Sequence, residues 1–467
     1  MSVTERSAGP PPGPQTSLSG WGGTTTSRCR LLGARDSNDV IRILASDETA
    51  RAGLIARGAG RSYGDAALND GGDVLDMTSC NRIVSIDRDR RLVVAQGGVT
   101  VAQLQAALSR ERLTLPVVPG TGHVTLGGAI ASDVHGKNHH HDGALARHVL
   151  AISLCTPAEG LLEVSPESDR ELFYATLGGM GLTGVIAQAT LRVEPLPSGW
   201  VAEDIDRTDD LDQTLAAMAG DDGRRYSVAW LDLLAGGAGN GRAVISRADP
   251  LPASAAPPSG RREDARALER RVRAGRSLGV PRGLPSVLRA GRVRDFNALR
   301  WRRAPRRVRG RPQKLARYLF PLDSLERWNR LYGPAGLIQY QFVVPDGQEA
   351  ALMRCFAIVR ERRLPVYLAV FKRFGEAFGG PLSFPLAGWT LAIDIPAGAA
   401  GLHEALASLD DVVAGCGGRV YLTKDARMSA DALRAMYPQL DRFAAQRERA
   451  DPAGVLRSDL ARRLELC

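Results

Sequence analysis

The sequence predicts an α+β protein of two domains, the second built on an antiparallel sheet. Its 467 residues exceed what one ordinary hydrophobic core serves. Up to about Pro195, short β-type runs alternate with short helical patterns, and glycine clusters stand at the joints. Beyond Pro195–Pro197 longer strand patterns take over, with two long helical patterns placed to cover them.

In chain order, Ser37 to Ala52 has a helical period, with Ser37 as N-cap. Residues 53–57, 73–77, 82–86 and 91–95 read as short strands. Thr100 caps an amphipathic helix over 101–108. A hairpin pattern at 149–156 and 160–164 is followed by a helix at 169–177 and a strand at 185–193. In the second half, 226–231, 242–246, 337–344, 366–371 and 389–395 read as strands, and 348–362 and 401–415 as helices. Residues 430–466 are mostly helical. The expected division is a disordered tail over 1–20, a first domain over 21–196, a second over 197–418, and a segment over 419–467 that returns to the first.

Composition narrows the class. Hydrophobic residues make up 44% and charged residues 24%, as in globular proteins. No apolar run reaches the roughly 20 residues that span a bilayer. Met1 to Gly20 is rich in Pro, Gly, Ser and Thr and lacks an apolar signal region, so a cytoplasmic protein is expected. The six cysteines are scattered without a CxxC pair, which argues against a zinc site, a disulfide framework and a catalytic thiol. The net charge of +10 is uneven: residues 261–314 hold 19 Lys and Arg against four acids, leaving the rest of the chain slightly acidic. That segment reads as a mobile basic insertion, 251–314, or as a face for anionic lipid. With few aromatics and no recognised module it does not read as a nucleic-acid site.

Three glycine-dense stretches carry the chemistry. Ala56-Arg-Gly-Ala-Gly-Arg-Ser-Tyr-Gly-Asp65 holds three glycines in seven residues, a backbone suited to nesting a pyrophosphate. Pro119 to Asn138 is dense in small residues and lets a planar group lie against the main chain, but it does not open a βαβ unit, so no nicotinamide site is read there. Gly178 to Gly184 is the third. Six of the seven histidines fall between His123 and His148. The run His139-His140-His141 lacks supporting acids or cysteines and reads as a hydrogen-bonding cluster, with no metal expected. His135 is placed to reach a cofactor or a substrate proton.

These stretches resemble the FAD domain of the vanillyl-alcohol-oxidase/PCMH-type flavoenzymes. The segments Gly333–Pro345, Val370–Gly375, Pro381–Trp389, Tyr421–Asp425 and Ser458–Leu466 narrow the resemblance to the decaprenylphosphoryl-β-D-ribose 2′-oxidases of actinobacteria, the FAD-dependent half of a 2′-epimerase. The likeness is weak over 251–313. It implies FAD held between an FAD-binding domain and a substrate domain. Cofactor contacts would fall on Arg57, Gly58, Ala59, Gly60, Arg61, Ser62, Tyr63, Gly64 and Asp65, on Gly120, Thr125, Leu126, Gly127 and Gly128, on Ser132, Val134 and His135, and on Ile186 and Tyr421. Lys424 and His135 would be catalytic. Gln339, Gln341, Lys372, Tyr318 and Tyr63 would meet the sugar. The reaction implied is oxidation of the ribose C2′ hydroxyl of a polyprenyl-phosphate sugar to a ketone, on the way to an arabinose donor for cell-wall polysaccharide. An NAD-dependent reductase would complete the epimerisation. Rival readings are an aldonolactone or alditol oxidase acting on a soluble sugar, and an idle flavin-fold scaffold at a membrane.

Two departures matter. Where many relatives bond a histidine to the flavin, this chain has Arg61, so FAD is expected to be non-covalent. Ala392 stands where mycobacterial members carry a cysteine, and Thr390 replaces an Asn. Inhibitors that trap that cysteine should therefore leave no covalent adduct on this chain, which intact-protein mass spectrometry would check.

Overall fold

The computed structural model describes residues 14–220, 223–257, 279–281, 283 and 285–467. The first domain carries two main sheets and a short two-stranded one, Leu113–Thr114 with Glu194–Pro195, among the described residues. In one, Thr26–Gly33, Asp73–Asp76 and Leu54–Arg57 run parallel, and Gln15–Ser19 adds an antiparallel edge. The expected disordered tail is thus corrected at its end: residues 15–19 pair with residues 26–30, while residues 1–13 lie outside the described residues. The other sheet is antiparallel, in the order Ile83–Asp87, Leu92–Gln96, Val185–Arg192, Val149–Thr156, Gly160–Val164.

Local chemistry sets the helix starts. The expected helix over 37–52 is two helices, Ser37–Leu44 and Asp47–Ala52. Asp36, not Ser37, caps the first by accepting from the Asp39 N–H. The Ser46 hydroxyl accepts from the Thr49 N–H, and satisfying that orphan donor starts the second helix. Thr100 caps Val101–Arg110 in a reciprocal box with Gln103.

The second domain is an eight-stranded antiparallel sheet. Its order is Arg307–Lys314, Trp200–Thr208, Arg242–Pro250, Tyr226–Asp232, Leu368–Phe374, Gly388–Pro396, Leu337–Pro345, Arg419–Val420. Alternation divides its two faces. Tyr340, Phe342, Val344, Leu391, Ile393 and Phe371 point back into an apolar core with Leu352, Phe356, Leu406 and Leu409 of the helices Glu349–Glu361 and Leu402–Gly415. Phe371 stacks on Trp389 at 5.0 Å. The intervening residues, Gln339, Gln341, Lys372 and Ala392 among them, face the first domain. The C-terminal segment binds both domains. Leu456 bridges Leu54, and Arg463 pairs with both Asp65 and Asp425 at 2.8 Å.

The basic stretch corrects a second expectation. Residues 258–278 lie outside the described residues, but Ala290–Arg303 is a helix and Arg307–Lys314 is the edge strand of the large sheet. Carboxylates on the neighbouring strands supply the reason. Glu203 and Asp206 take Arg311 and Arg309. Asp232, fully buried, accepts from Arg242 at 2.8 Å and from the helix's Asn297 at 3.1 Å. No helix among the described residues is long and apolar enough to cross a membrane.

Asp232→Ala removes the partner of a buried guanidinium and of Asn297. It should cost about 3–5 kcal/mol, read as a lower urea midpoint, with helix 290–303 the first segment to lose hydrogen-exchange protection.

Candidate active site

The two domains enclose a cavity of about 320 Å³. One wall is the backbone of the three glycine-dense stretches, and the other is the front of the large sheet. A Cβ on Gly58 would stand 2.0 Å from Thr125 Oγ1, so the first loop can lie on the second stretch only as glycine. A Cβ on Gly120 would meet nothing within 4 Å and would project into free space. Backbone this bare suits close approach by a large planar ligand with a phosphate tail.

Most of the sequence-predicted residues converge here. Arg57, Gly58, Ala59, Gly60, Arg61, Ser62 and Tyr63 line the cavity with Gly120, Thr125, Gly127, Gly128, Ser132, Val134, His135, Ile186 and Tyr421. Gln339, Gln341, Lys372 and Lys424 line it from the second domain. Four do not reach it. Tyr318 packs against Tyr226 at 5.7 Å, beneath the Lys137 ammonium. Gly64 lies against the Asp425 carbonyl. The Asp65 carboxylate is taken by Arg463, and Leu126 is buried in the first-domain core. Each is held by structure the sequence does not display locally.

Electrostatics give the cavity its character. Lys372 and Lys424 are half-buried in the cleft wall, and the loss of water there penalises an ammonium. Lys372 is pushed down to about 8, and Lys424 is pushed down as well, restrained by the negative charge of Asp394. Asp394 is pushed up by the same burial. Its register partner Gln339 donates to Oδ1 at 2.5 Å, while Oδ2 has no hydrogen-bond partner among the described residues. The Lys424 ammonium sits 4.0 Å from the centre of the Tyr63 ring.

His135 lies between Phe374 and Tyr421, at 4.7 and 5.3 Å. Burial, then Lys372, hold it well below the usual histidine range, so it is neutral. The Gln341 amide stands 3.0 Å from Nε2. An amide N–H donating there puts the ring proton on Nδ1 and fixes Gln341 toward the cavity. Tyr421 donates to the Ser132 carbonyl at 2.8 Å, clipping the second stretch to the C-terminal segment.

The histidine run is structural. His139 Nδ1 accepts from the Gly375 N–H, and His140 Nε2 contacts the Arg224 carbonyl. No cluster of three metal-binding side chains occurs among the described residues.

Sequence reasoning missed Asp394, although strand alternation places it on the same face as Ala392, two residues on. It also missed Trp21 and the segment 322–328, which line the cavity beside Arg61. Trp21 lies 4.1 Å from the Arg61 guanidinium, and Asp323 accepts from the Gly122 N–H. Those contacts are long-range and leave no local signature.

Known proteins match this arrangement. A family profile described as an FAD binding domain matches residues 30–165, and one described as D-arabinono-1,4-lactone oxidase matches residues 397–464. The decaprenylphosphoryl-beta-D-ribose oxidase of Mycolicibacterium smegmatis is 39% identical over 96% of this chain and 97% of its own length. The chain belongs to the decaprenylphosphoryl-β-D-ribose oxidase family. It is an FAD-dependent oxidoreductase with the PCMH-type fold expected from its glycine stretches. An uncharacterised protein of Streptomyces coelicolor is also 39% identical, over 75% of this chain and 96% of its own length. An L-gulono-1,4-lactone dehydrogenase of Mycobacterium tuberculosis is more distant, at 27% over 88% and 89%. The cavity fits the cofactor: bare glycine backbone on one side, and on the other the half-buried Lys372 and Lys424, neither in an ion pair among the described residues.

If Lys424 must be unprotonated to act as a base, reduction of the flavin rises with pH through its titration. Asp394→Asn removes the negative charge that props that titration up. The acid limb of the pH profile should then move to lower pH, by roughly one unit. A limb that stays in place would show that Asp394 only packs.

Proposed function

We propose that this enzyme oxidises the C2′ hydroxyl of a polyprenylphosphoryl ribose to the 2′-ketone, using non-covalently held FAD. The observation that carries the reading is the face Gln339–Gln341–Lys424, aimed across a cleft at a glycine-built flavin cradle. Bound FAD supplies the acceptor for the hydride that leaves C2′. The protein must orient the sugar and remove the hydroxyl proton. Gln339 and Gln341 stand on one face of one strand and offer amides to ribose hydroxyls. Asp394 fixes the first, and His135 fixes the second. Lys424 takes the hydroxyl proton, since burial has brought its titration toward neutrality. Lys372 adds positive charge where negative charge develops.

His135, neutral and already bonded through Nε2, acts in this scheme as a positioning residue. Arg61 occupies the loop without a flavin-bonding histidine, beneath Trp21. The ketone has no second cofactor in this account, so an NAD-dependent reductase on another chain completes the inversion. The polyprenyl tail brings the enzyme to a lipid surface.

The purified, flavin-loaded enzyme should lose its yellow absorbance when mixed anaerobically with a lipid-linked ribose. Lys424→Ala should retain FAD yet slow that loss roughly 10²- to 10⁴-fold. Bleaching by a soluble aldonolactone and not by the lipid-linked ribose would replace this reading with that of a lactone oxidase.

A further inference from the structure

The helix Ala290–Arg303 lies on the cavity side of the large sheet. Trp230 is the register partner of Val370, which lines the cavity, so both side chains share that face. The helix covers this flank: Arg300 sits 4.5 Å from the Trp230 ring, Asn297 donates to Asp232, and Val293 is buried.

Its outer face is unlike an ordinary solvated face. Arg292, Phe296, Leu299 and Arg303 follow at helical spacing and form one stripe. Phe296 is 61% exposed and Leu299 45%. A Phe this bare on a surface helix leaves apolar area unburied, which water disfavours. The helix holds five arginines against one acid, Asp295. Arg292, Arg302, Arg303 and Arg306 make no side-chain hydrogen bond or ion pair among the described residues. Leu322, which lines the cavity, is also exposed.

We propose that this arginine-flanked Phe296–Leu299 face docks on an anionic lipid bilayer and brings the cavity to the membrane. The inference rests on the reading of the substrate as a lipid-linked sugar, and it adds the surface that meets the lipid. Phe296 and Leu299 enter the headgroup boundary, and the flanking guanidinium groups meet lipid phosphates. The commitment to lipid follows from the pairing of bare apolar side chains with unpaired cations. A nucleic-acid face would need the charge alone.

The test uses the full-length, flavin-loaded enzyme in vesicle flotation. Vesicles are phosphatidylcholine alone, or phosphatidylcholine with phosphatidylglycerol. Wild type should float with the anionic vesicles only, less so at high salt. Phe296→Ser with Leu299→Ser, and separately Arg292→Gln with Arg303→Gln, should each weaken flotation at least ten-fold. Both variants change exposed residues, so flavin content and turnover on a short-chain, water-soluble ribosyl phosphate should match wild type. Flotation unchanged in either variant, or equal on both vesicle types, overturns the proposal. So does RNA binding that depends on the arginines in a protein that ignores vesicles. Failure of wild type to oxidise any ribosyl phosphate would instead sink the substrate reading and leave the docking result standing.

Discussion

The site depends on holding lysine charge in a partly dried cleft between the glycine cradle and the large sheet. Burial lowers the affinity of Lys424 and Lys372 for their protons, and only Asp394 restrains the fall at Lys424. A lone buried ammonium would discard its proton, and a fully paired one would be inert. The intermediate arrangement keeps a group close to neutrality, able to take a proton and then hold positive charge beside a developing anion. Glycine on the facing wall serves the same end, since it lets a large cofactor approach without side chains in the way.

The large sheet converts sequence alternation into function. Its back face is packed by two helices, which fixes strand register, and a slip of one residue would send Gln339, Gln341 and Asp394 into that core. The front face is therefore as rigid as the core behind it. His135 and Gln341 join the domains through one hydrogen bond, and Arg463 ties the C-terminal segment to Asp65 of the first loop. These ties set the distance between the glycine cradle and the strands facing it, and hydride transfer depends steeply on such positioning.

Much of this was legible in the chain. Glycine density marked the cradle because backbone approach needs small residues, and Gly58 shows that requirement in the structure. The hairpin read at 149–156 and 160–164 and the strand read at 337–344 are present as Val149–Thr156, Gly160–Val164 and Leu337–Pro345. What failed was set at long range. Tyr318 reads as a pocket aromatic but packs beside Tyr226, and Asp65 reads as a cofactor contact but belongs to Arg463. The arginine-rich stretch looked mobile because its charge seemed uncompensated, yet Glu203, Asp206 and Asp232 lie on distant strands and order part of it.

The central claim is that Lys424 titrates close to neutrality beside the flavin and carries positive charge once it has taken up a proton. Potentiometric titration of the bound cofactor at neutral pH tests it most directly, comparing wild type with Lys424→Met at equal FAD occupancy. The account predicts a lower reduction potential in the variant, because the reduced flavin loses its nearby cation. An unchanged potential would contradict it.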